Sequence, residues 1–253
     1  MPLRLSMPAA AATLLTLALP AQAALTSFLD TTVDPSGYAA FSLLSDATVG
    51  LTITPLASGG NPGAALALDF ANGGAPVNLS SWVGFIRTGF SWNPGVDGAL
   101  ASVAFTNDRY IDGGDDFINL NLTAFSRALL VQDGQYYLSA LLDPGQVRKA
   151  WYTSSAAALT AGDFIGFDPL TGLTNAGLNL DFSASGSAIG FGFLNRFQID
   201  TDVNDYSLNA RFAYDNIGFT MNLQGVPEPA VPALLAAAFG ALAWTRRRSA
   251  GQA

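Results

Sequence analysis

Apolar and polar residues alternate with a period of two in several short runs of this chain, the pattern of a strand that buries one face. VGLTIT over 49–54 and ALALDF over 65–70 show it most clearly. Further strand-like runs lie at 82–87, 99–106, 125–132, 136–142, 150–154, 188–194 and 207–220. Asp133-Gly134 separates two of them and suits a two-residue hairpin turn, whose central positions both need positive φ. GGNPG over 59–63 and NPG over 93–95 interrupt strands and helices alike, so they read as loops. Helical signal is confined to TAGDF over 160–164, enough for one capped turn. Many short strands between turns, with no long 3.6 period, predict an all-β sandwich or barrel. No composition break or charged linker divides residues 24–225, so one domain is expected there. A body of about 200 residues buries enough of its surface to fold without disulfides, and this one has no cysteine.

The two ends follow other rules. Arg4, an apolar run over 9–19 and the small residues Ala21 and Ala23 form the three parts of a secretory signal peptide, residues 1–23. Signal peptidase would cut after Ala23, and the apolar run is short for a permanent anchor. At the other end, VPEP over 226–229 precedes an apolar stretch over 230–244 and then Arg246, Arg247 and Arg248. Two prolines stiffen the box in an extended form. As a helix the apolar stretch spans roughly 22 Å against a hydrocarbon core of about 30 Å. That suits a short transmembrane helix inserted transiently, with Trp244 at the interface and the arginines on the cytoplasmic side.

The VPEP box, short apolar helix and arginine cluster resemble a PEP-CTERM sorting signal. The resemblance covers residues 226–253 and implies an exported exosortase substrate of a Gram-negative bacterium, transiently anchored in the inner membrane. It implies that Pro227, Glu228 and Pro229 are recognition residues and that Arg246, Arg247 and Arg248 stop transfer. Within the body, GNPGAALAL over 60–68, LTAGDF over 159–164, DFSASGSAIGFGF over 181–193 and YDNIGFTMNL over 214–223 resemble concanavalin-A-like or laminin-G-like jelly rolls. That resemblance narrows the expected fold to a jelly-roll-like antiparallel β-sandwich, an architecture shared with carbohydrate-binding modules.

Charge and composition then limit the chemistry. The chain carries 11 basic and 19 acidic residues, net −8. The body is more acidic still, because Arg4 and Arg246 to Arg248 lie in the end segments while Glu228 is the one acid there. Such a body repels phosphate backbones, which argues against nucleic acid. Without histidine or cysteine there is no Ser-His-Asp or Cys-His catalysis and no ordinary zinc site. A glycosidase would need two aspartates, and no spacing selects a pair. A polysaccharide lyase would draw on Tyr110, Tyr136, Tyr137, Tyr152, Arg109 and Arg148, which no motif organises. An enzyme is therefore not expected.

Calcium is the cofactor that an exported, aspartate-rich protein best accommodates. Asp112, Asp115 and Asp116 share one loop, and Asp215 lies on the last strand. In jelly-roll sugar-binding modules a carboxylate near the chain end often helps to hold calcium, and Asp30 or Asp34 could approach Asp215 there. The competing reading for each is a solvated turn. Sugar binding needs exposed rings, for which Trp82, Trp92, Trp151 and the pair Tyr136-Tyr137 are available. In the adjacent pair Trp151 and Tyr152 one ring must face outward from a strand, so this pair is the carbohydrate candidate, against core filling as its alternative. Three functions follow: a structural or interaction protein of the envelope or exopolysaccharide as the leading expectation, a lectin-like carbohydrate-binding module, and an enzyme acting on that polysaccharide.

Overall fold

The computed structural model describes residues 27–71, 78–112, 121–140, 149–200 and 209–224. Thirteen strands in these segments form two antiparallel sheets packed face to face. The first sheet contains β1 (Ser27–Asp30), β3 (Gly50–Gly60), β4 (Gly63–Ala71), β6 (Leu100–Asp112), β9 (Tyr152–Leu159) and β13 (Asn209–Leu223). Its order is β3-β4-β13-β6-β9, and β1 continues the line of β4 by pairing with residues 217–220 of β13. The second sheet contains β2 (Tyr38–Leu44), β5 (Asn78–Trp92), β7 (Asn121–Gln132), β8 (Gln135–Ser139), β10 (Phe164–Phe167), β11 (Thr174–Asn175) and β12 (Ile189–Asp200). Their order is β11-β10-β8-β7-β12-β5-β2. This is the expected all-β sandwich.

Inward positions follow the alternation. Leu66, Leu68 and Phe70 on β4, Val103 and Phe105 on β6, and Phe212, Tyr214 and Phe219 on β13 are buried against Val83 and Phe85 on β5 and Phe191, Phe193 and Phe197 on β12. Phe85 and Phe193 stack at 4.9 Å, and Phe197 meets Phe212 at 4.4 Å. Large rings carry much of the burial, since each removes about 150–250 Å² from water.

Turn chemistry also behaves as read. Asp133 (φ 51°) and Gly134 (φ 73°) join β7 to β8. Thr160 and Asp163 cap a short 3-10 turn at Ala161–Asp163. Two loop expectations change. The 93–95 segment opens a one-turn helix, Pro94–Asp97, because Asn93 accepts a hydrogen bond from the Gly95 amide and proline tolerates the first helical position. Strand pairing also reaches Gly60 and Gly63, which shrinks the 59–63 loop to Asn61 and Pro62. Among the described residues no helix is long and apolar enough to cross a membrane. The expected signal peptide (1–23) and sorting tail (226–253) lie outside the described residues.

The second sheet has a further, outer cluster that the alternation did not reveal as a unit. Leu129, Leu138, Phe167 and Leu194 are buried there, packed by half-buried Phe41, Trp82, Ile86, Tyr136 and Ile165. Phe41 on β2 meets Tyr136 on β8 at 5.7 Å and Phe167 on β10 at 6.5 Å. Four flat strand spacings would separate β2 from β8 by about 19 Å, so the rings meet only because this face is concave. Two glycines make room for the curl. A Cβ on Gly84 would lie 2.2 Å from the Phe41 ring, and one on Gly192 would lie 2.1 Å from the Phe85 carbonyl oxygen.

Candidate functional site

The concave outer face gathers aromatic and cationic groups. Trp82 on β5 lies directly across from Arg196 on β12, and Arg127 reaches the same ring from β7. The guanidinium carbons sit 5.1 Å (Arg196) and 5.9 Å (Arg127) from the Trp82 ring centroid, within cation–π range. All three side chains are half-buried, which leaves part of each open to solvent. The Nε atoms of both arginines are buried and make no hydrogen bond. Burial, and next to it the charge of Arg196, holds the Arg127 guanidinium below its ordinary pKa.

A turn over 168–173 forms the rim. Asp168 ties it by accepting from the Leu170 amide (2.9 Å) and the Thr171 hydroxyl (2.8 Å). Gly172, at φ 73°, brings backbone against Trp82: a Cβ there would lie 3.1 Å from Nε1 and 3.0 Å from Leu43. Beside the turn is an open cavity of about 500 Å³, lined by Tyr136, Phe167, Asp168, Pro169 and Asn175 among others. The cavity is lined by rings and polar side chains, and the Trp82 cluster with its two cations adjoins it through Phe167, 5.5 Å from the Trp82 ring. Together they are the equipment for stacking on a pyranose and hydrogen-bonding its hydroxyls.

The residues singled out from sequence are distributed differently. Trp151 packs on Tyr110 at 5.6 Å, on the outer face of the first sheet. Tyr152 pairs with Arg109, whose guanidinium carbon is 5.8 Å from its ring and whose side chain is buried between the sheets. The pair therefore points to opposite faces, as strand geometry requires, and both rings are half-buried. Trp92 is buried and donates its indole N–H to the Gly98 carbonyl at 2.8 Å. Of the tyrosine and arginine set, Tyr137 is buried, Tyr136 belongs to the concave face, and Arg148 lies outside the described residues. Arg127 and Arg196 were missed. Their one sequence signal is a cation at an outward strand position in a body with few of them, and cross-strand register alone brings the two together.

Asp215 sits at a bulge where β13 slips by one residue against β6, with Asn216 at φ 50°. It is fully buried and accepts from the backbone amides of Asn61 (2.5 Å) and Asn216 (2.7 Å). Burial raises its pKa most; those two hydrogen bonds oppose the rise, and the charges of Asp108 and Asp30 add to it. Asp108, directly opposite, accepts from the side-chain amides of Asn61 (3.1 Å) and Asn216 (2.7 Å) and from the Thr153 hydroxyl (2.6 Å). These two carboxylates are what a hard cation would find here. Asp30 approaches as expected but is bound to Arg87 at 2.8 Å, and Asp34 accepts from the Ser36 amide in its own turn. Asp112 lies four residues along β6 from Asp108, about 13 Å away, in the register of Arg211. Asp115 and Asp116 lie outside the described residues. Among the described residues no three metal-ligating side chains converge.

No family model and no curated protein matches the chain. Similar solved structures include the CBM22-1-GH10 modules of a Clostridium thermocellum endo-1,4-β-D-xylanase complexed with xylohexaose, at 11% identity and a TM-score of 0.34. That match covers 78% of this chain and 28% of the xylanase structure, so the chain spans less than a third of that protein's length. A xylan-binding domain of CBM22 is similar at 11% identity and a TM-score of 0.32, over 82% of this chain and 100% of its own. A mannan-recognising carbohydrate-binding module, TmCBM27, follows at 14% and 0.31, over 76% and 95%.

Proposed function

We propose that this protein is a non-catalytic carbohydrate-binding sandwich whose ligand lies on the concave outer face of the second sheet. One observation carries the reading: half-buried Trp82 sits on the curled sheet, framed by two guanidinium groups and flanked by the rings of Phe41, Tyr136 and Phe167. Trp82 packs part of its ring on the outer cluster and leaves the rest open to solvent, on the face away from the main core. The lectin-like reading therefore replaces a purely structural role as the leading one. The sequence of the ends supports delivery outside the cytoplasm, with a signal peptide over 1–23 and a sorting tail over 226–253 cleaved by exosortase.

Affinity electrophoresis of the exported protein in gels containing the producing strain's polysaccharide tests the binding. Trp82→Ala should lower retardation by at least tenfold in apparent affinity, while Trp151→Ala leaves it unchanged. The reverse result would move the site to the first sheet. Intact mass of the exported form tests delivery: it should begin at Ala24 and end near residues 226–229, and retention of Trp244 and Arg248 would exclude tail cleavage.

A further inference from the structure

The charge on the concave face goes beyond sugar binding in general. Arg87 and Arg211 each have a carboxylate partner, Asp30 at 2.8 Å and Asp69 at 2.6 Å. Arg127 and Arg196 have none among the described residues, although acids outnumber bases in the chain by 19 to 11. Instead they lie close enough together for one to depress the ionisation of the other, and both crowd the same indole. Two like charges held together in a partly desolvated groove repel each other. Their Nε–H groups are buried without an acceptor, a further cost. Asp168, the acid of the rim turn, uses its oxygens on Leu170 and Thr171.

We infer that this groove takes an acidic polysaccharide, with a sugar ring stacked beside Trp82 and a uronic-acid carboxylate bound between Arg127 and Arg196. A carboxylate matches the planar guanidinium fork, can accept from both side chains, and cancels their repulsion. A neutral sugar can accept hydrogen bonds here but brings no negative charge to cancel the repulsion. The inference rests on the carbohydrate-binding reading and names the class of sugar.

The test uses the full-length protein and polymers that differ in charge alone. Binding to polygalacturonate is compared with binding to its fully methyl-esterified form by isothermal titration calorimetry, with glucuronate against glucose as small probes followed by tryptophan fluorescence. Polygalacturonate should bind at least tenfold more tightly than the ester and weaken as salt is added. Glucuronate, unlike glucose, should give a saturable fluorescence change. Arg127→Gln/Arg196→Gln should abolish the preference for the acid form, and it should not lower Tm, because it removes two unpaired cations. Equal binding of acid and ester that is still lost in Trp82→Ala overturns the acidic-sugar inference and leaves carbohydrate binding standing. No response to any of the four probes in wild type overturns the inference. Persistence of the acid preference in the double variant does so as well.

Discussion

Asp30 closes the sandwich at one corner, and its removal has a cost that can be worked from the contacts. One oxygen accepts from the Thr32 amide (3.0 Å), the Thr32 hydroxyl (3.0 Å) and the Val33 amide (2.9 Å). The other accepts from the Tyr38 hydroxyl (2.9 Å) and Arg87 (2.8 Å). β1 belongs to the first sheet, while Tyr38 and Arg87 belong to the second, so one carboxylate clasps the two layers. Arg87 in turn lies over the rings of Phe28 and Tyr38, at 5.4 and 5.1 Å. Asp30 is 6% exposed and Arg87 28%. Deleting one member of a buried pair costs about 3–5 kcal/mol, and the partial exposure of Arg87 points to the lower end, about 3 kcal/mol. For a domain this size that is a fall in Tm of roughly 10 °C. Asp30→Asn keeps an acceptor for the two amides and should lose about half as much.

The same carboxylate sets an acid limb. Burial, its largest single influence, pushes the Asp30 pKa up, but the hydrogen bonds from Thr32, Val33 and Tyr38 together outweigh it and hold it below 3.8. A depressed carboxylate stabilises the fold above the unfolded-state pKa, and that contribution disappears as pH falls through the folded value. Urea denaturation between pH 2 and 7 reads both effects. Asp30→Ala should be destabilised by about 3 kcal/mol at neutral pH, with a shallower loss on acidification than wild type. A change below about 1 kcal/mol, the level of an exposed pair, would refute the clasp.

Other expectations concern packing. Gly192→Ala drives a Cβ into the Phe85 carbonyl and the Ile86 backbone. Chemical denaturation should show a loss of about 3 kcal/mol, and a neutral result would mean that the β5–β12 pairing is looser than described. Gly84→Ala displaces the Phe41 ring; it should weaken polysaccharide retardation several-fold with only a small fall in Tm, and unchanged retardation would remove Phe41 from the groove. Tyr214 is completely buried and its hydroxyl has no hydrogen-bond partner. Tyr214→Phe should leave stability unchanged or raise it by up to about 1 kcal/mol, whereas a clear loss would reveal a buried water on that oxygen.

Local rules already visible in the chain produced much of this architecture. The alternating runs at 49–54 and 65–70 became β3 and β4, the strand-like run at 125–132 became β7, Asp133-Gly134 became the β7–β8 turn, and Thr160 with Asp163 became a cap. Each depends on neighbours a few residues apart, so sequence suffices. β2 escaped notice because YAAFSLL over 38–44 alternates poorly, and an edge strand is held mainly by its single partner, β5.

The candidate site obeyed no local rule. Trp82, Arg127 and Arg196 are separated by 45 and 69 residues and carry no shared motif. They meet because β5, β12 and β7 are neighbours in a particular register. Likewise, Phe41 reaches Tyr136 because the sheet curls around small residues at positions 84 and 192. What the sequence determined alone was the alternation of strand faces, the turns, the acidic balance and the absence of histidine and cysteine chemistry. Tertiary structure decided which outward residues share a face, because strand order and curvature are set by the packing of the whole core and by no single segment.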